Sequence, residues 1–307
     1  MSNSPLIALT GATGFIGRRL VPALGAGGAR VRALARAQQL DTPAVEWVAG
    51  DLAQPQALQR LVANADVVIH LAASVRGARW ADFLAPNVEG VERLVSARAS
   101  AASSSRLLHI SSLAASAPEL SYYAASKAAG ESVALAAGAT VLRPPAVYGP
   151  GDQELLPLLT GLAAGRGVIP GHSGRFSLIF VDDLVAAIRA AIDTPLADGA
   201  VFTVDDGQPA GYDWNTVIDT IAALRRAPVR PLRVPRSLLV TAAFLASETK
   251  RLLGRAPMLT PGKVRELFHP AWVCGHADFT ARTGWLPQVS LAAGLRATLP
   301  ALSTGGA

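Results

Sequence analysis

Short, continuously apolar runs alternate along the chain with longer stretches rich in alanine and leucine, and glycine, proline or aspartate marks the joins. Leu6–Thr10 ends in Gly11, Val31–Ala35 follows the Gly27-Gly28 break, Val45–Ala49 runs into Gly50-Asp51, and Val67–Leu71 precedes Ala72-Ala73. Leu107–Ile110 and Thr140–Leu142 continue the series. Between them, Phe15–Leu24, Pro55–Ala63, Val88–Ser100 and Tyr123–Ala137 have helical composition and enough length to cross back over a sheet. Apolar runs without polar alternation, joined by helical crossovers, predict strands covered on both faces. The expected fold class is therefore α/β, with a doubly wound parallel sheet.

After Pro144-Pro145 this regularity fades, and Gly149, Pro150, Gly151, Pro157, Gly165, Gly167, Pro170 and Gly171 punctuate shorter segments. A helix at Asp183–Ile192 and a strand at Val201–Val204 are expected to return to the sheet, whereas Pro228–Pro270 reads as separate helical material. The predicted organisation is a sheet-building part over 1–165, with returns near 176–206. A smaller, mainly helical lobe over 207–302 interleaves with 150–175, and Ser303–Ala307 reads as a loose tail.

Half of the 307 residues are hydrophobic and 16% are charged, which places the chain among globular proteins with ample core. A net charge of +6 would suit nucleic acid or anionic lipid, but the arginines read as scattered and the lysines are Lys127, Lys250 and Lys263 alone. Small anionic ligands are expected, and nucleic acid is not. Cys274 is the single cysteine, so an internal disulfide and a cysteine metal site are excluded, as befits a reducing compartment. His70, His109, His172, His269 and His276 show no HxxH pairing, and no metal is expected. Met1–Leu9 lacks a basic start and a long apolar stretch, so it does not read as a signal peptide and a cytoplasmic location is expected. Leu238–Ala246 is too short for a membrane span and reads as a core or interfacial helix.

The turn Thr10-Gly11-Ala12-Thr13-Gly14-Phe15-Ile16-Gly17 follows the first strand and opens the first helix. Glycines so placed let backbone N–H groups approach a pyrophosphate, which points to a dinucleotide; the alternative is a turn whose glycines serve packing alone. The spacing is GxxGxxG rather than GxGxxG. At the end of the second strand an acid would accept from the ribose of NAD, whereas an arginine would pair the additional phosphate of NADP. Arg36 stands there, so NADP is preferred over NAD, with an ordinary surface arginine as the plain reading. Asp51 is placed to accept from adenine, to cap the helix near Pro55, or both.

Tyr123 and Lys127 are four apart in a helical segment and share one face. An ammonium beside a phenol favours phenolate and lowers its pKa toward working pH, which suits proton transfer; a solvated pair is the plain alternative. Ser111-Ser112 sits at the carboxyl end of an apolar strand, where ligands of open parallel sheets bind.

In chain order, these segments resemble the motifs of the extended short-chain dehydrogenases/reductases, the NAD-dependent epimerase/dehydratase family. The resemblance rests on Thr10–Gly17, Gly50-Asp51-Leu52, His70-Leu71-Ala72-Ala73, Asn87-Val88-Glu89-Gly90, Ile110-Ser111-Ser112, YAASK at Tyr123–Lys127 and LRPPAVYGPGD at Leu142–Asp152. Phe180–Asp183 and Thr283–Pro287 extend it over nearly the whole chain. It implies a Rossmann fold and hydride transfer between a nicotinamide and a carbonyl or alcohol carbon. Tyr123 would be the general acid/base, Lys127 its pKa-lowering and ribose-binding partner, Ser112 the donor to the substrate oxygen, and Asn87 a support for this network. Phe15 and Ile16 would lie over the pyrophosphate, Asp51 and Leu52 near adenine, and Leu71, Ala72 and Ala73 along the cofactor. Ser111 would touch the cofactor, and Pro144 to Val147 would back the nicotinamide. Gly11, Thr13, Gly14, Gly17 and Arg36 complete the implied cofactor set. Tyr122 loses to Tyr123 because its fourth successor is Ser126, which carries no cation.

The resemblance also implies a homodimer through Val88–Ser100 and Tyr123–Ala137. The short connection Leu113–Tyr122 departs from the longer insert of nucleotide-sugar epimerases and dehydratases, which favours simple carbonyl reduction or alcohol oxidation. The segment from Pro257-Met258-Leu259-Thr260-Pro261 to Trp272 looks like the dihydroflavonol-reductase and 3β-hydroxysteroid-dehydrogenase branch, implying a lipophilic small-molecule substrate. An epimerase with tightly held NAD is the first alternative, and a non-catalytic cofactor-binding sensor or assembly subunit the second. Trp214, Trp272 and Trp285 read first as core and then as a substrate wall, and Arg175 as a phosphate partner or a structural arginine.

Overall fold

The computed structural model describes residues 4–171, 174–252 and 259–303, so His172, Pro257-Met258 and the tail beyond Ser303 lie outside it. The expected strands form as β1 (Leu6–Thr10), β2 (Arg30–Ala35), β3 (Val45–Ala49), β4 (Val67–His70), β5 (Arg106–Ile110) and β6 (Thr140–Arg143). Short strands follow in the second half: β7 (Ala146–Tyr148), β8 (Val168–Pro170), β9 (Arg175–Phe176), β10 (Leu178–Phe180), β11 (Val201–Thr203), β12 (Leu232–Val234) and β13 (Ala271–Trp272). The main sheet has seven parallel strands in the order β11-β6-β5-β4-β1-β2-β3, with β11 as the predicted return. Three further parallel pairs, β7 with β10, β8 with β12, and β9 with β13, stand outside the main sheet.

Crossovers are α1 (Gly17–Ala26), α2 (Pro55–Val62), α3 (Trp80–Leu84), α4 (Gly90–Ala101) and α5 (Tyr122–Ala136). Later helices are α6 (Leu156–Ala163), α7 (Val181–Asp193), α8 (Trp214–Arg225), α9 (Arg236–Leu252), α10 (Pro261–Leu267), α11 (Ala277–Thr283), α12 (Leu291–Thr298) and α13 (Pro300–Ser303). Because α13 reaches Ser303, that residue ends a helix instead of starting the expected loose tail.

The apolar runs are strands because both faces are covered. Ile7 and Leu9 face α1 and α7 through Leu20, Leu24 and Ile188, while Ala8 and Val68 face α2 and α4 through Leu58, Leu61 and Leu94. A third core gathers Tyr148, Leu162, Ile169, Ile221 and Leu295 beneath the lobe. Each such side chain contributes about 1.5–3 kcal/mol on burial. The chain runs from β1 outward to β3, then crosses to β4 on the other flank of β1. This reversal opens a crevice at the carboxyl ends of β1 and β4, where open α/β sheets take their ligands.

One segment departs from the sequence expectation. The helix expected from Val88 begins at Gly90, and Ala85–Glu89 before it winds as a π-helical turn after α3. Pro86 lacks the N–H that an α-helical ladder requires, and a wide turn is compatible with its loss. Gly130 of α5 packs against this turn so closely that a Cβ there would lie 2.0 Å from the Asn87 carbonyl oxygen.

Candidate active site

The crevice is one continuous cleft of about 1650 Å³, beyond the roughly 300–1,000 Å³ of ordinary ligand pockets, and it holds both the glycine turn and the Ser-Tyr-Lys residues. On its floor, Gly11 has φ 78°, and a Cβ there would lie 2.7 Å from the Ala72 nitrogen, so this turn can nest against the β4 end only as glycine. Gly17 is equally constrained, with a Cβ falling 2.2 Å from the Gly11 carbonyl oxygen. The cap position of α1, Ile16, offers no side-chain acceptor, and the first-turn N–H groups of Arg18 and Arg19 bond the Gly14 and Ile16 carbonyls at 3.0 Å, so the close-packed glycine turn is what shapes this end of the cleft for a ligand. Ser111 Oγ is buried against the cleft with no hydrogen-bond partner among the described residues, as expected of a group that meets a cofactor. The site fits a dinucleotide on both counts.

Thr13, Gly14, Phe15, Leu52, Leu71, Ala73, Pro144 and Val147 all line the same cleft. Arg36 is exposed at the end of β2 and reaches it too. Asp51 also lines it, but its carboxylate accepts from the Ala53 N–H at 2.8 Å, and the cap of α2 is Gln54. The helix-capping alternative for Asp51 is thereby corrected: the side chain closes a local turn.

Tyr123 and Lys127 stand on the inner side of α5, while Tyr122 is 55% exposed, which separates the rival tyrosines. Ser112 lines the same cleft beside the Tyr123 phenol, and its Oγ accepts from the Ala114 N–H at 3.2 Å. Lys127 is buried and its Nζ donates to the Ile110 carbonyl at 3.0 Å. Burial lowers its pKa to about 8, with Glu131 opposing the fall. Asn87 ties the loop after β4 to α5: its Oδ1 accepts from the Ser74 N–H at 2.7 Å, and its Nδ2 donates to the Ser74 carbonyl and to Ser126 Oγ, each at 2.9 Å. Its bonds reach Ser74 and Ser126 and not Tyr123, Lys127 or Ser112.

The expected lowering of the Tyr123 pKa is not what the protein alone produces. Burial raises the phenol above its ordinary value, against the neighbouring Ser112 hydroxyl and the charge of Lys263. The physical reason is that Lys127 is drawn toward the strand end, and the cation over the Tyr123 ring is Lys263, 5.8 Å from its centre.

Lys263 went unnoticed in the sequence. It belongs to α10, where Thr260 accepts from the Lys263 backbone N–H at 3.1 Å and caps the helix. Its Nζ pairs with Glu266 Oε2 at 2.9 Å; 45% of the lysine side chain is accessible against 7% of the glutamate. Glu266 Oε1 also accepts from Ser121 Oγ, and Ser121 caps α5, the helix of Tyr123 and Lys127. Gly262 permits this approach, since a Cβ there would lie 2.9 Å from Ser121 Cβ. The sequence signal was a lysine in a lysine-poor chain, three residues before an acid.

Beneath the cleft, His70 and His109 stack with ring centres 5.3 Å apart, and Thr10 Oγ1 meets His70 Nδ1 at 2.8 Å. Burial, then the Lys127 charge, lowers His70 to about 3 and His109 well below its usual range, so both rings stay neutral. Arg175 spends its guanidinium on the Ala210 and Gly211 carbonyls at 2.6 and 2.8 Å, in keeping with the structural reading. Trp285 is core, whereas Trp214 and Trp272 also line the cleft. Among the described residues, no helix is long and apolar enough to cross a membrane.

A Rossmann sheet with this cleft at its switch point defines an NAD(P)-binding oxidoreductase of the extended short-chain dehydrogenase/reductase type. Residues 7–204 match the model of the NAD dependent epimerase/dehydratase family, and the chain belongs to that family. It is 36% identical to a ceramide reductase of Caulobacter vibrioides (strain NA1000 / CB15N), over 92% of this chain and 96% of that protein. It is 30% identical to a 2-alkyl-3-oxoalkanoate reductase of Stenotrophomonas maltophilia (strain K279a), over 94% of this chain and 97% of that protein. Among solved structures, MoeE5 in complex with UDP-glucuronic acid and NAD shares the fold, with a TM-score of 0.75, 24% identity and coverage of 98% and 99% of the two chains.

Proposed function

We propose that this enzyme reduces the ketone of a long-chain, lipid-like small molecule with NADPH, Tyr123 delivering the proton to the carbonyl oxygen. The observation that carries this reading is the gathering of Ser112, Tyr123 and Lys127 on one cleft whose outer walls are apolar. Leu155, Leu158, Trp214, Leu259, Leu267 and Trp272 supply those walls. The two reductase relatives, one named for ceramide and one for 2-alkyl-3-oxoalkanoates, favour this substrate class over a sugar nucleotide. The cofactor, when bound, supplies the hydride.

The chain's own residues do the rest. The turn at Gly11–Gly17 and the α1 N-terminus hold the pyrophosphate. Arg36, with no acid at the end of β2, favours the additional phosphate of NADP over the bare ribose of NAD. Lys127 binds the nicotinamide ribose, and Ser112 steadies the substrate oxygen beside the phenol. Burial favours the protonated phenol, the form a reductase requires. In this reading, residues 1–165 with the returns near 176–206 hold the cofactor, and 207–302 with 150–175 hold the substrate. A homodimer through α4 and α5 belongs to the same reading.

The test is native purification with identification of the released nucleotide, followed by NADPH oxidation against long-chain β-oxo amides and acids. Tyr123→Phe should bind NADPH normally and lose roughly 10²–10⁴-fold in turnover, the range of general acid catalysis. Full turnover by that variant would refute the assignment, and release of NAD alone would refute the NADP preference.

A further inference from the structure

Helix α9 exposes an apolar face that the catalytic reading does not use. From Ser237 to Ala246 it carries no charged residue. Ala243 is buried, while Leu238 and Phe244 are 61% and 58% exposed, and Leu232 on the preceding β12 is 64% exposed. Scattered surface leucines need no explanation, but apolar groups concentrated on one short segment do. Exposed arginines adjoin this segment along the chain: Arg230 and Arg233 bracket Leu232, and Arg236 opens α9, while Arg233 also donates to Asn215 Oδ1 at 2.6 Å. Between Thr220 and Ser247 the chain has five arginines and no Asp or Glu. α9 packs on α10, whose Lys263 lines the cleft, so the helix neighbours the substrate side of the site.

We propose that β12 and α9 form a docking surface for an anionic lipid bilayer, next to the cleft that a lipid substrate enters. An uncharged helix face carrying Leu and Phe, with arginines at its margin, is the pattern of an interfacial helix that settles into the headgroup and acyl boundary. Near an anionic surface each arginine raises partitioning roughly fivefold. A second copy of this chain is a poor occupant, because a two-fold contact sets the same patch against itself and would oppose one arginine run to another. The surface stands on its own residues, and only its role in substrate entry rests on the proposed lipid ketone.

The experiment is flotation of the full chain with vesicles of phosphatidylcholine alone or with about a third phosphatidylglycerol, measured without turnover so that the catalytic reading can fail separately. Binding should require the anionic lipid and fall at least tenfold when salt is raised past the screening range. Leu238→Glu with Phe244→Glu should abolish it, and Arg230→Glu with Arg233→Glu should remove the preference for anionic vesicles. As a check independent of folding defects, Phe244→Trp should shift its emission to the blue on these vesicles and be quenched by brominated acyl chains. Absence of binding, or a Trp emission unchanged by vesicles, would overturn the proposal. So would a dimer in solution that the Leu238→Glu, Phe244→Glu variant converts to monomer.

Discussion

Lys127 is a cation buried in the core of the site, and replacing it should make the protein more stable while it destroys the activity. Burial lowers its pKa from 10.5 to about 8. At about 1.4 kcal/mol for each pH unit, keeping this ammonium inside costs about 3 kcal/mol below pH 8. The unfolded chain holds that proton up to roughly pH 10.4, so between these limits it binds more protons than the native state, and stability rises with pH there. Lys127→Met removes the cost and also loses the bond to the Ile110 carbonyl, worth about 1.5–3 kcal/mol for a charged donor. The net gain at pH 7 is about 1 kcal/mol, or roughly 2 °C in melting temperature. Urea unfolding of both proteins at pH 7, 9 and 10 provides the assay. Their difference in stability should shift by about 2.5 kcal/mol against the variant across this range, as the native lysine sheds its proton. A difference flat with pH would refute the reasoning, because the penalty would then not come from a buried charge.

Arg36→Ala should raise the Kd for NADPH roughly 10–100-fold, the loss of a charge-assisted pair, with a much smaller effect on NADH measured by the same fluorescence titration; equal weakening of both would remove Arg36 from the phosphate site. Lys263→Met should raise KM for an oxygen-rich β-oxo amide about tenfold more than for a plain long-chain ketone, since its accessible ammonium faces the cleft over Tyr123; steady-state kinetics on the two substrates decides it. Asn87→Leu should lower kcat at least tenfold and expose α5 to faster hydrogen exchange, because it severs both Ser74 and Ser126 from one amide; unchanged exchange would assign it no positioning role.

The sheet was legible because its strands are buried on both faces and read as unbroken apolar runs, as Leu6–Thr10 and Val67–His70 do. Tyr123, Lys127 and Ser112 were legible because their spacing and strand-end position are local facts, and the structure brings them to one cleft. Lys263 and Glu266 were not, since their proximity to Tyr123 and Ser121 depends on contacts across more than a hundred residues that no local period encodes. The direction of the Tyr123 pKa was misjudged for a related reason: spacing placed an amine near the phenol, but burial depth is a tertiary property. The arginines next to α9 read as scattered because apolar residues and prolines separate them, and their exposure beside an exposed apolar segment is a tertiary property.

The clasp of Glu266 on Ser121, with Arg265 Nε donating to the Leu120 carbonyl at 2.7 Å, makes the rear half of the polypeptide a bolt on the N-terminal end of the helix bearing Tyr123. Chimeras that graft a relative's rear half onto this front half must therefore transplant residues 120–121 and 262–266 together. A junction that splits the two groups would give a chimera that folds its sheet and binds dinucleotide, yet leaves the proton donor out of line.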